Sequence, residues 1–227
     1  MAGGLTQRQQ KLVHEAEQLL HEARNNPDFA EMMKGRGYGE ESWAHGEALV
    51  ATMKAGGRAF ERAQSEKFKA TNIVMKQREK IWAHSSTLSQ SCVSLFQGQT
   101  DFLNALGLHA RRKDGNGGSD ISKPNKTGKI EQVLNWQRNL FEVAQNHTEI
   151  ASVLSTNGFP PDLLAQNLAS VEAMARAEYV QEQTKKFSTQ RRAERDDSYK
   201  LLRMWLRCAQ RIAKLAKKDR DDGGVLG

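Results

Sequence analysis

The chain reads as an all-α helical bundle made of two tandem degenerate repeats of a long-helix unit, related by a pseudo-twofold axis. Three observations carry that reading. The composition is dominated by Ala, Gln, Glu, Lys, Arg and Leu, all good helix formers. Only 4 prolines occur, long stretches hold neither Gly nor Pro, and β-branched and aromatic residues never alternate as strands require. The chain also matches itself when shifted by 121 positions. Leu20 then falls on Phe141, Ala23 on Ala144, Gly37 on Gly158 and Tyr38 on Phe159. From Phe60 the offset is 119: Phe60 meets Tyr179, Lys67 meets Lys186 and Phe68 meets Phe187. A unit this long is not a stacking solenoid repeat, and two fused copies of a dimerising unit fit it better.

The first repeat covers residues 1–106. Its first helix is expected from Thr6, a candidate N-cap, to Asn25, with Leu5, Leu12 and Leu19 near heptad spacing. Asn25-Asn26-Pro27 ends it, and Asp28 is expected to cap a short helix through Met33. After a turn at Gly35, Gly37 and Gly39, residues 40–106 form one helical region. A rod of that length would reach about 100 Å, so a break near Lys69–Asn72 is expected ahead of a single helix.

Residues 107–128, rich in Gly, Asn, Ser and Lys, have little to bury and read as a flexible linker. The second repeat, 129–218, follows the same plan: a helix to Asn146, a short one from Thr148 to Ser155, and a Gly158-Phe159-Pro160-Pro161 turn. Pro161 can open the next helix. Within 162–218 the stretch 181–198 has only Phe187 and Ala193 as apolar side chains, which predicts exposure or a break near 189. Residues 219–227 read as a disordered tail.

Chemistry-bearing motifs are few. His14, Glu17 and His21 share a helical face, but no histidine has a Glu three residues before it, as helical-bundle metal sites use. The equivalent second-copy residues, Asn135, Arg138 and Glu142, complete no site, so no metal is expected. Gly35-x-Gly37-x-Gly39 lacks a preceding strand and runs into Glu40 and Glu41, which repel an anion; it reads as a structural turn. His84, Ser85 and Ser86 are contiguous on a helix, where adjacent side chains diverge, so no nucleophilic triad is assigned. Trp43, Trp82, Trp136 and Trp205 sit at apolar-periodic positions and read as core. Cys92 and Cys208 lie in apolar stripes and read as buried free thiols in a reducing compartment. No leader sequence or membrane span is expected, which makes the location cytoplasmic.

The most distinctive pattern is basic. Lys200, Arg203, Arg207, Arg211, Lys214 and Lys218 follow one another at spacings of three and four. They fall within an arc of about 80° on a helix. Leu201, Trp205, Cys208, Ile212 and Leu215 form an apolar stripe alongside. Residues 185–220 carry a net +9 of the chain's +7, leaving −2 elsewhere. Such a stripe is either a solvated helix face or a binding surface for phosphates, an anionic membrane or an acidic helix. The expected function is therefore a non-enzymatic helical scaffold or protein-interaction module, without cofactor, that binds a protein partner and can self-associate. The alternative is sequence-independent nucleic-acid or acidic-surface binding through the basic C-terminal helix.

Overall fold

The computed structural model describes residues 4–108 and 123–223, with side chains to 218. Seven helices and no strand occur among them. They are α1 (Gln7–Asn25), α2 (Pro27–Lys34), α3 (Glu40–Leu95), α4 (Thr100–Ala105), α5 (Ile130–Asn146), α6 (Thr148–Thr156) and α7 (Pro161–Gly223). Most of the linker expected at 107–128 lies outside the described residues. So do residues 224–227 of the expected tail; α7 continues past 218 to Gly223.

The ends of the short helices follow from their sequences. Thr6 closes a capping box on α1: its hydroxyl accepts from the Gln9 amide, and Gln9 Oε1 accepts from the Thr6 amide at 2.9 Å. Asn26, rather than the expected Asp28, caps α2. Its Oδ1 accepts from the Phe29 amide at 3.1 Å, and Pro27 takes the first helical position, where a missing N–H costs nothing.

The long helices correct the sequence reading. Neither α3 nor α7 breaks, near 70 or near 189. The polar stretch of α7 holds together because its inward side recurs every seventh residue: Asn167, Met174, Gln181, Ser188, Arg195, Leu202, Ala209 and Ala216 are all buried. That is the heptad spacing of a helix-on-helix seam, written partly in polar residues. Of the buried polar members, Asn167, Gln181 and Arg195 find partners. Gln181 Nε2 donates to Thr71 Oγ1 at 3.0 Å, and Arg195 donates to the Gly4 carbonyl at 3.0 Å and to Asp196 at 2.8 Å.

The chain forms two compact units. Unit 1 comprises residues 1–68 and 184–227, and unit 2 comprises 69–183. Each therefore takes one part of α3 and one part of α7. In unit 1, Val13, Ala16 and Leu20 of α1 and Val50 and Met53 of α3 close on Leu202, Trp205 and Leu206 of α7. Gly46 of α3 sits directly under the Trp205 indole: a Cβ there would lie 2.1 Å from the ring. The missing side chain lets the ring in and lets its N–H donate to the Ser42 carbonyl at 3.1 Å. Trp43 packs edge-on against Trp205, with ring centroids 6.4 Å apart, and against Tyr38 at 5.4 Å.

In unit 2, Ile81, Leu88, Cys92 and Phe96 of α3 meet Trp136, Leu140 and Phe141 of α5, Ile150 and Leu154 of α6, and Val171 and Met174 of α7. Trp136 is fully buried, whereas Trp82 is half-buried against it. Burial pushes the Cys92 thiol up to about 12. Cys208, expected to be buried, is exposed instead.

Candidate functional site

The C-terminal part of α7 carries three distinct faces. Leu202, Trp205, Leu206, Ala209, Ala213 and Ala216 are buried within unit 1. The apolar stripe read from the sequence divides. Trp205 belongs to this buried face and Ile212 is half-buried, but Leu201, Cys208 and Leu215 are exposed. The small side chains of Ala209, Ala213 and Ala216 fill the inward face, so the larger residues were mistaken for it.

The second face is the basic one. Arg207, Arg211, Lys214 and Lys218 are exposed and Arg203 is half-buried. None of these five has an ion-pairing carboxylate among the described residues. Lys200 differs: it donates to Asp197 Oδ1 at 2.7 Å, and that hydrogen bond raises its pKa above the ordinary lysine value. Just before it, Arg191 pairs with Glu194 at 2.7 Å and Arg195 with Asp196 at 2.8 Å. From Arg191 onward, the cations of α7 that lack a carboxylate partner among the described residues thus begin at Arg203.

Two further cations join them from α1. Arg8 and Lys11, with Leu12 and Glu15, form the opposite wall of a groove of about 330 Å³ whose α7 wall is Tyr199, Arg203, Leu206, Arg207 and Gln210. Lys11 lies 3.9 Å from Glu15, a loose exposed pair; Arg8, Arg203 and Arg207 have no such partner among the described residues. Four cations facing one carboxylate make the groove electropositive, so it attracts carboxylates or phosphates. Arg8 and Lys11 were missed in the sequence because nothing in α1 alone places it beside α7.

The other sequence candidates fall apart in space. Glu17 is engaged by Lys54, and His21 bonds Asn25 on its own helix at 2.9 Å. Among the described residues no group of three His, Cys, Asp or Glu side chains could hold a metal ion. His84 Nδ1 meets Asn167 Oδ1 at 2.5 Å, while Ser85 is buried, donating to the Ile81 carbonyl and accepting from Gln137 Nε2 at 3.0 Å. The glycines at 35, 37 and 39 close the turn after α2, with Gly37 at φ 81°. No helix among the described residues is long and apolar enough to cross a membrane. No family model, no curated protein and no solved structure matches the chain.

Proposed function

We propose that the chain is a non-enzymatic helical scaffold that docks an acidic protein partner on the basic face of the C-terminal part of α7. The observation that carries this reading is the cluster of cations at Arg203, Arg207, Arg211 and Lys214, continued by Arg8 and Lys11, that the described residues leave largely without carboxylates. Charges kept apart from internal partners are available to an external one, and they favour encounter with acidic surfaces.

The scaffold is read as a tandem degenerate repeat with pseudo-twofold symmetry. Two observations support that. Each unit includes a helix, a short helix, the first part of the long helix that follows, and the last part of the other long helix, and unit 2 adds α4. The turns after α2 and α6 also agree, with Gly37 at φ 81° and Gly158 at φ 88°. The Tyr38 backbone amide donates back to the Met33 carbonyl and the Phe159 amide to the Leu154 carbonyl, both at 3.0 Å. A cytoplasmic location belongs to the same reading, supported by two free cysteines.

The groove between α1 and α7 favours a second reading, sequence-independent binding of nucleic-acid phosphates. One titration separates the two. The full chain and its Arg203→Glu/Arg207→Glu/Arg211→Glu variant are titrated with polyglutamate and with a single-stranded oligonucleotide at several salt concentrations. The first reading expects polyglutamate to bind, and binding to vanish in the variant without a change in helicity. Preference for the oligonucleotide with a steep salt slope supports the second reading. Unchanged binding in the variant overturns both.

A further inference from the structure

The third face of α7 is apolar and exposed. Leu201 is 55% exposed, Met204 65% and Leu215 44%, with the exposed Cys208 between them. Their positions follow a heptad. Leu201, Cys208 and Leu215 occupy one seam position, which repeats every seven residues. Met204 and Arg211 occupy the other, three residues further on. The seam spans about 21 Å at 1.5 Å per residue. Along one flank the residue before each first seam position is a cation: Lys200, Arg207 and Lys214. Along the other flank Trp205 and Ile212 turn inward, buried and half-buried.

A helix seam is specified this way: apolar residues at spacings of three and four supply the attraction, and the flanking charges choose the partner. We infer that this stripe is the docking seam for one amphipathic helix of a partner protein, with acidic residues along the flank that meets Arg207 and Lys214. The inference rests on the proposed reading of α7 as a partner face and names the partner's chemistry. Arg211, standing in the seam itself, fixes the register by requiring a carboxylate or other acceptor opposite it.

Other occupants fit less well. The apolar arc is about 60° wide, narrower than the face of a helix lying in a bilayer surface. A phosphate backbone would leave Leu201, Met204 and Leu215 uncovered. A second copy pairing antiparallel through the stripe would set the cationic flanks against each other. Pairing parallel, it would set them against Trp205 and Ile212, which carry no charge.

The test titrates the full-length chain with a synthetic three-heptad peptide carrying Leu at its seam positions and Glu at its flanks, and with its Lys-flanked counterpart. The Glu peptide is expected to bind and the Lys peptide not to. Met204→Ser with Leu215→Ser should weaken the Glu peptide about tenfold or more through lost apolar burial, with helicity unchanged. Arg207→Glu with Lys214→Glu should reverse the preference between the peptides. Equal binding of the Glu peptide by wild type and the serine pair overturns the seam while leaving the basic-face reading intact. No binding of the Glu peptide overturns it too, as does preferential binding of phosphatidylserine vesicles or an oligonucleotide. Self-association that the serine pair abolishes does the same.

Discussion

The two compact units use similar helices to different ends. Unit 2 has the larger apolar core, with Trp136, Phe141, Phe96 and Leu140 all buried, and hydrogen bonds within it join Gln137 to Ser85, His84 to Asn167 and Arg138 to Glu172. Unit 1 has a smaller core closed by an aromatic group, Phe29, Tyr38, Trp43 and Trp205. Its buried Arg195 stacks on Phe60, 4.3 Å from the ring centroid. On its outer side unit 1 keeps cations without described carboxylate partners beside exposed Leu and Met. In unit 1 these cations and exposed apolar side chains stand side by side on one helix, which is why the docking proposals are placed there.

The largest contrast should be in thiol reactivity. At its raised value of about 12, against an ordinary 9.0, Cys92 holds roughly a thousandfold less thiolate at neutral pH. In the folded protein Cys208 should react with a thiol reagent at once and Cys92 only after denaturation. Two equal fast phases would contradict the burial of unit 2's core.

The next largest effects concern the Trp205 socket of unit 1. Trp205→Ala should cost about 3–5 kcal/mol in denaturant unfolding. Gly46→Ala should cost about 1–3 kcal/mol through overpacking, although helix propensity alone predicts a gain of about 1 kcal/mol. A stabilised Gly46→Ala variant would mean that the indole does not occupy that position.

In unit 2, Ser85→Ala leaves the Gln137 amide buried without its acceptor and should cost about 1–3 kcal/mol. Adding Gln137→Leu should recover much of the loss, since both polar partners are then gone. A double variant no better than the single one would show that the pair does not interact.

The smallest effect is the Arg138–Glu172 pair. Its 2.6 Å hydrogen bond holds the Glu172 carboxyl below its ordinary value. The stabilisation is present above the ordinary carboxylate value of 4.5 and is lost as pH falls through the depressed one. With both side chains a third or more exposed, it should amount to less than about 1 kcal/mol. Glu172→Gln should flatten the acid limb of the stability curve slightly; an unchanged limb would remove the pair from the account.

Much of this architecture was legible in the sequence, because helix formers, caps and turn glycines act locally. The all-helical class and the extents of α1, α5 and α6 followed from such signals, as did the start of α7 at Pro161. The continuity of α7 did not, because its seam runs through Gln181, Ser188 and Arg195, which hydropathy counts as surface. The candidate site was legible only in part. The spacing from Lys200 to Lys218 marks the basic stripe, but the apolar stripe beside it, Leu201, Trp205, Cys208, Ile212 and Leu215, does not lie on one face of the core: Leu201, Cys208 and Leu215 are exposed. Alanines fill the inward side there, and which of two apolar stripes faces inward depends on what packs against the helix. Arg8 and Lys11 were invisible for the same reason.

Each unit needs both halves of the sequence. Leu202, Trp205 and Leu206 complete the core begun by α1, and Ile81, Leu88 and Phe96 complete the one begun by α5. The direct test expresses residues 1–108 and 123–227 separately and follows each by sedimentation and thermal circular dichroism, alone and mixed. Neither half should be a cooperatively folding monomer, and mixing should restore cooperative unfolding. A half that melts cooperatively as a monomer would contradict the reciprocal construction.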